Sequence, residues 1–332
     1  MTPQPGEPPA EAGAPPGRLV RLWHRAAVPI YRTVSYLAQR APLRLSYWCA
    51  ARIGDLVFFV FWREKRTITL ENMRHVLGPY ASRAMVRASA RDSVRNYAKY
   101  MVEFVRFPRM SRQEILDAIG IASWDRFDAL LADGRGVIFV SFHMGNWDFA
   151  GAAAGIRGYP FLVVADSVGP PEFNAEVQAV RRRQGLRLVE AEQPALAARG
   201  VVKALRAGEM VGLLVDIPTS TDGVPVRLFG ETAYLPAGPA TLALRTGARI
   251  VPGAVFRRPD NRFSLVVDDR FDYTPTGDRQ ADVQRLTQAL VTALEELVRQ
   301  RPEQWYIFRR LWPTGEPQPS AHHSPAALGA DA

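Results

Sequence analysis

The stretch Val137-Ile138-Phe139-Val140-Ser141-Phe142, followed at once by His143-Met144-Gly145-Asn146-Trp147-Asp148, decides the fold. An apolar run broken only by Ser141 reads as a strand with little polar alternation, the pattern of a parallel sheet covered on both faces. Gly145 permits a turn after it, and Asn146 suits the N-cap of a helix beginning at Trp147. The same texture recurs downstream. Phe161-Leu162-Val163-Val164, Met210 to Val215, Arg249 to Phe256 and Phe263 to Val267 read as strands, with helices near 147–157, 172–183, 194–206 and 237–246 between them. Such alternation predicts an α/β domain over 121–312, with a mostly parallel central sheet flanked by helices. A further helix from about Ala281 to Arg301 precedes the aromatic segment Trp305 to Trp312.

Upstream, from Arg18 to about Gly120, apolar residues recur at helical spacing, so 18–120 is expected to be a helical region. Ten basic residues lie between Arg18 and Arg66 against two acidic ones, Asp55 and Glu64. Such a cluster attracts polyanions, nucleic acid or anionic lipid. The basic residues alternate with large apolar ones, which leaves no continuous basic face for nucleic acid. The run Leu56-Val57-Phe58-Phe59-Val60-Phe61-Trp62 is far shorter than the ~20 residues that span a bilayer. With the preceding Leu43 to Asp55 and with Trp23, Trp48 and Trp62, it suits a helix lying in an anionic membrane surface; burial against the main domain is the other reading. Residues 1–17 lack the basic and apolar regions of a secretory signal and read as a disordered tail, as does 313–332. The single Cys49 excludes an internal disulfide and any multi-cysteine metal site.

The carboxyl ends of strands in open α/β sheets are where sites are built, and His143 stands at one. Residues five apart on a continuous helix are separated by about 140°, so His143 and Asp148 can meet only across a turn, which Gly145 allows. Asp148 would then accept from one imidazole nitrogen while the other takes a proton. That is the base and orienter of a triad without its nucleophile, which points to a substrate hydroxyl attacking a thioester directly. Backbone N–H groups at the helix start would face the resulting oxyanion. No Gly-x-Ser-x-Gly elbow supports a serine hydrolase. A lipid-binding protein that keeps the fold without the reaction is the non-enzymatic alternative.

At these residues the chain resembles the lysophospholipid acyltransferase superfamily, whose signature is His, four residues, then Asp or Glu. Gly134-Arg135-Gly136-Val137-Ile138 and Gly145-Asn146-Trp147-Asp148 are similar to the bacterial lipid A biosynthesis and phosphatidylinositol mannoside acyltransferases. So are Val215-Asp216-Ile217-Pro218 leading through Asp222 to Gly230, Leu235 to Ala243, and Ile250-Val251-Pro252. The resemblance implies transfer of a fatty acyl group from acyl-CoA or acyl carrier protein, as co-substrate and without a cofactor, to a hydroxyl of a membrane glycolipid of the lipid A precursor type. It places the protein peripherally at the cytoplasmic face of the plasma membrane. A phosphatidylinositol mannoside or a lysophospholipid is the alternative acceptor; the absent Glu-Gly-Thr-Arg block argues against glycerol phosphate. His143 and Asp148 carry over as the catalytic dyad, and Asp216 as an acidic residue beside the acceptor. Gly145, Asn146, Arg181, Arg182, Arg183 and Arg227 are the substrate-binding candidates, the arginines for phosphate. Tyr306, Phe308, Arg309 and Arg310 resemble the family's C-terminal aromatic-basic segment.

Overall fold

The computed structural model describes residues 18–121, 124–191, 194–217 and 223–312. The expected tails at 1–17 and 313–332 lie outside these residues, as do Pro218 and Asp222 and the side chain of Trp23.

The N-terminal part is helical, with α1 (Arg18–Arg40), α2 (Leu43–Leu56), α3 (Arg63–Leu77), α4 (Arg83–Arg106) and α5 (Arg112–Ala118). Ser82 caps α4 by accepting from the Met85 N–H, and Ser111 and Glu114 cap α5 reciprocally. Between α2 and α3 the backbone passes through a π-type turn, Val57–Phe61, and the helix direction bends by 104°. Among the described residues no single helix is long and apolar enough to cross a membrane.

Beyond α5 the chain runs β1 (Ile119–Gly120), α6 (Asp125–Leu131), β2 (Val137–Ser141), α7 (Trp147–Ile156), β3 (Phe161–Ala165), α8 (Pro171–Arg183), β4 (Arg187–Glu190), α9 (Pro194–Arg206) and β5 (Met210–Leu214). An antiparallel hairpin of β6 (Gly223–Leu228) and β7 (Glu231–Pro236) follows, then α10 (Gly238–Thr246), β8 (Arg249–Arg257), β9 (Phe263–Val267) and α11 (Arg279–Gln300). The seven-stranded sheet has the order β1-β9-β8-β2-β5-β3-β4, and every pairing is parallel except β8 with β9.

Helices cover both faces. Ile138, Val140 and Ile250 pack with Leu290, Leu294 and Val298 of α11, whereas the other face meets Ala152 and Ala153 of α7 and Val177 and Val180 of α8. This is the mostly parallel α/β architecture expected from the strand spacing. The strands read at 137, 161, 210, 249 and 263 all form. The edge strand β4 and the β6–β7 hairpin were not foreseen. Arg187 and Glu190 bracket only two apolar residues in β4, and Pro225 and Pro236 disguise the hairpin. Gln288 and Glu295 of α11 accept the Arg227 and Phe229 backbone N–H groups, which ties the hairpin to the domain.

Candidate functional site

Strands β2 and β5 are parallel neighbours in the register Val137↔Met210 through Ser141↔Leu214. Continued two residues past the sheet, that register sets His143 beside Asp216. The geometry follows it: His143 Nδ1 lies 2.5 Å from Asp216 Oδ1, and the His143 backbone N–H donates to Oδ2 at 2.9 Å. Trp305 donates its indole Nε1–H to the same Oδ2 at 2.7 Å. Asp216 is fully buried, whereas 21% of the His143 side chain remains exposed.

These contacts fix the tautomer. A buried carboxylate on Nδ1 makes that nitrogen the N–H donor and leaves Nε2 as the acceptor. Burial would raise the Asp216 carboxyl, but the His143 charge and the hydrogen bonds from His143 and Trp305 outweigh it and hold it below the usual carboxylate range. Burial would lower the His143 imidazole, but Asp216 draws it above its ordinary value of about 6.5. The field of Asp166 adds to that rise and the field of Arg309 opposes it.

The partner expected for His143 was Asp148, and the structure corrects this. Asn146 does cap α7, accepting from the Phe149 N–H at 3.0 Å. Asp148 in the first helical turn is then directed at α4 and α8. It accepts from the Tyr100 hydroxyl at 2.7 Å and from Arg181 Nε at 2.8 Å. The side chain against His143 is Trp147, edge-on with ring centroids 4.9 Å apart. Asp148 and Arg181 are 3% and 13% exposed, so they form a buried ion pair that pins α7. Asp148 outweighs burial in holding Arg181 well charged, and burial together with Asp148 keeps the Tyr100 hydroxyl protonated.

A second buried network adjoins it. Glu103 of α4 receives Asn146 Nδ2 at 2.8 Å, the Tyr47 hydroxyl at 2.8 Å and the guanidinium of Arg257. Asn146, expected to meet substrate, instead faces Glu103 and is 1% exposed. Gly145 is also structural: its φ is +62°, and a β-carbon there would lie 2.0 Å from the Val255 carbonyl oxygen. Arg182 pairs with Glu190, and Arg183 donates to the Ala179 carbonyl oxygen, so the triple arginine does not present one anion cradle. Arg227 is exposed on the β6–β7 hairpin.

The C-terminal segment closes the site. Met144 pairs with Trp305 as an antiparallel bridge, and the Tyr306 N–H donates to the His143 carbonyl oxygen at 2.9 Å. Tyr306 packs against Tyr97, Tyr100 and Trp147, and Phe308 against Tyr97 and Trp62. Arg310 pairs with Glu71, and Asn72 of α3 holds the Arg309 carbonyl oxygen. Trp305 was read only as part of an aromatic segment. No local pattern marks an indole 162 residues from His143 as a partner of its carboxylate. Among the described residues no group of three or more His, Cys, Asp or Glu side chains could hold a metal ion.

The family model described as bacterial lipid A biosynthesis acyltransferase matches residues 20–314. The phosphatidylinositol mannoside acyltransferase of Mycolicibacterium smegmatis (strain ATCC 700084 / mc(2)155) is 28% identical over 67% of this chain and 71% of its own length. Its counterpart from Mycobacterium tuberculosis (strain CDC 1551 / Oshkosh) is 30% identical over 66% and 69% respectively.

Proposed function

Because the chain belongs to the bacterial lipid A biosynthesis acyltransferase family, we propose that it moves a fatty acyl group from a thioester donor, acyl-CoA or acyl carrier protein, to a hydroxyl of a membrane glycolipid. The observation that carries the mechanism is the His143–Asp216 pair, with Nδ1 tied to a buried carboxylate and Nε2 left as the base. The acceptor hydroxyl gives its proton to Nε2 as its oxygen bonds to the thioester carbonyl carbon. The tetrahedral oxyanion then collapses, the carbon–sulfur bond breaks, and the imidazolium returns the proton to the departing thiolate.

Asp216 stabilises the imidazolium between these two transfers. The Met144 and Gly145 amides are committed to the Phe142 and Gln304 carbonyls, so oxyanion stabilisation falls to the N-terminal turn of α7. Ser141 spends its hydroxyl hydrogen on the Phe142 carbonyl, which argues for direct transfer without an acyl-enzyme.

The names of the two mycobacterial relatives direct the acceptor toward a phosphatidylinositol mannoside. A lipid A precursor is the second reading, supported by the family description. Incubating the protein with palmitoyl-CoA and vesicles carrying either glycolipid, with mass spectrometry of the lipids, separates them. The expected product is the mannoside heavier by one palmitoyl ester. Release of free palmitate with no ester on either glycolipid sinks the reading.

The site would work at the cytoplasmic face of the plasma membrane, with the protein held peripherally. Ile30, Val34, Leu37, Trp48, Ile53 and Phe61 of α1, α2 and the π-type turn are half or more exposed, or nearly so. Arg40, Arg44 and Arg52 stand exposed on α1 and α2, and Arg63 and Lys65 on the first turn of α3. A patch of this kind suits an anionic interface. Burying Trp48 or Phe61 in lipid is worth roughly 1.5–3 kcal/mol each, so Trp48→Ser and Phe61→Ser should each weaken vesicle binding about tenfold or more. The protein is expected to float with vesicles containing anionic lipid and to be released in part by salt. Failure to float with any vesicle overturns this placement.

A further inference from the structure

We propose that Trp305 is a positioning residue of the reaction, its indole N–H holding Asp216 in the orientation that presents Oδ1 to His143. The inference rests on the reading of His143 and Asp216 as the catalytic pair.

A carboxylate with one ordered oxygen still swings about its last torsion. Here Oδ2 is gripped from two directions, by the His143 backbone N–H at 2.9 Å and by Trp305 Nε1 at 2.7 Å, which leaves Oδ1 aimed at Nδ1. The indole is itself immobilised. It is fully buried, stacked on Phe142 at 5.5 Å with 17° between the planes, and flanked by Phe229 at 5.8 Å.

Its backbone is fixed as firmly. The Trp305 carbonyl oxygen accepts from Ser93 Oγ of α4 at 2.8 Å, and the neighbouring Gln304 side chain exchanges two hydrogen bonds with the Arg257 backbone. The bridge between Met144 and Trp305 joins this segment to the turn that carries His143. Base, carboxylate and indole therefore come from three separate stretches of chain that meet in one cluster.

The donated hydrogen bond also draws negative charge from Asp216. Its removal leaves a more basic carboxylate, which holds the His143 proton more tightly, and the acid limb of the rate profile moves to higher pH. Loss of the carboxylate charge in Asp216→Asn moves that limb the opposite way. A purely structural tryptophan moves neither.

The test is Trp305→Phe, which keeps an aromatic ring against Phe142 and removes the donor, beside a protein carrying benzothienylalanine at 305, which keeps the bicyclic shape without the N–H. Both are measured with palmitoyl-CoA and phosphatidylinositol mannoside vesicles. The expected result is kcat lower by roughly 10- to 100-fold, the usual cost of removing a partner that orients a reacting group, with KM within about twofold. The acid limb should shift upward. In the Asp216→Asn background the added effect of Trp305→Phe should shrink to about threefold or less, because partners acting as a unit are not additive.

An unchanged kcat and acid limb in the benzothienylalanine protein overturns the proposal, whatever the folding of Trp305→Phe. If Asp216→Asn itself leaves kcat unchanged, the catalytic pair is wrong, and the failure lies in that reading rather than in the role of the indole.

Discussion

His143→Ala and Asp216→Asn are each expected to lower kcat for acyl transfer by roughly 10²- to 10⁴-fold, the range that a positioned base and its buried orienter contribute. The two losses should not add, because each removes the same proton-accepting unit. Asp216→Asn retains shape, but it replaces a carboxylate that accepts three hydrogen bonds by an amide with one acceptor oxygen. Either the imidazole Nδ1–H loses its partner, or the His143 backbone N–H and the Trp305 N–H both lose theirs, and the imidazolium loses its counter-charge. KM should change little, since neither group is needed to hold the acyl chain. Activity of Asp216→Asn within a few-fold of the parent protein would remove Asp216 from the mechanism.

Asp148→Asn is expected to act on folding. It leaves Arg181, 13% exposed, as a buried cation without a counter-charge. Breaking one side of a buried ion pair costs about 3–5 kcal/mol. For a chain of this size that corresponds to a Tm lower by roughly 4–8 °C. The folded fraction, assayed well below its Tm, should retain kcat within about tenfold, because Asp148 touches Tyr100 and Arg181 rather than the imidazole. Thermal unfolding followed by circular dichroism, with kinetics on the same preparation, separates stability from turnover. An unchanged Tm with a kcat as low as that of Asp216→Asn would restore Asp148 to the chemistry.

The contrast between the two aspartates shows what the amino-acid order carries and what it conceals. Strand positions were legible because Val137 to Ser141, Met210 to Leu214 and Arg249 to Arg257 are rich in apolar residues that bury on forming a sheet. The start of α7 was legible from Asn146, a local cap that acts within three residues. Strand order is not local. The chain makes β3 directly after β2, yet β5 lies between them in the sheet, and only that insertion brings Asp216 alongside His143.

Proximity in sequence favoured Asp148, five residues away, over Asp216, 73 residues away. The resemblance nevertheless carried Asp216 into the site as an acidic residue after a strand. Arg181 lies buried against Asp148, where it pins α7. The helical N-terminal part holds more than a surface: Tyr100 and Glu103 of α4 fix α7 from beneath. Their spacing of three on one helix face reads only as amphipathic pattern until the partner helix is known.

The most direct test of the central claim is the pH dependence of kcat/KM for the parent protein and Asp216→Asn, measured with palmitoyl-CoA and phosphatidylinositol mannoside vesicles. The base must be neutral to take a proton, so the rate falls as pH drops through the raised His143 pKa. The parent's acid limb is expected above pH ~6.5, displaced to lower pH in Asp216→Asn, where the carboxylate that raises it is gone. An acid limb that stays in place when Asp216 is replaced would contradict it.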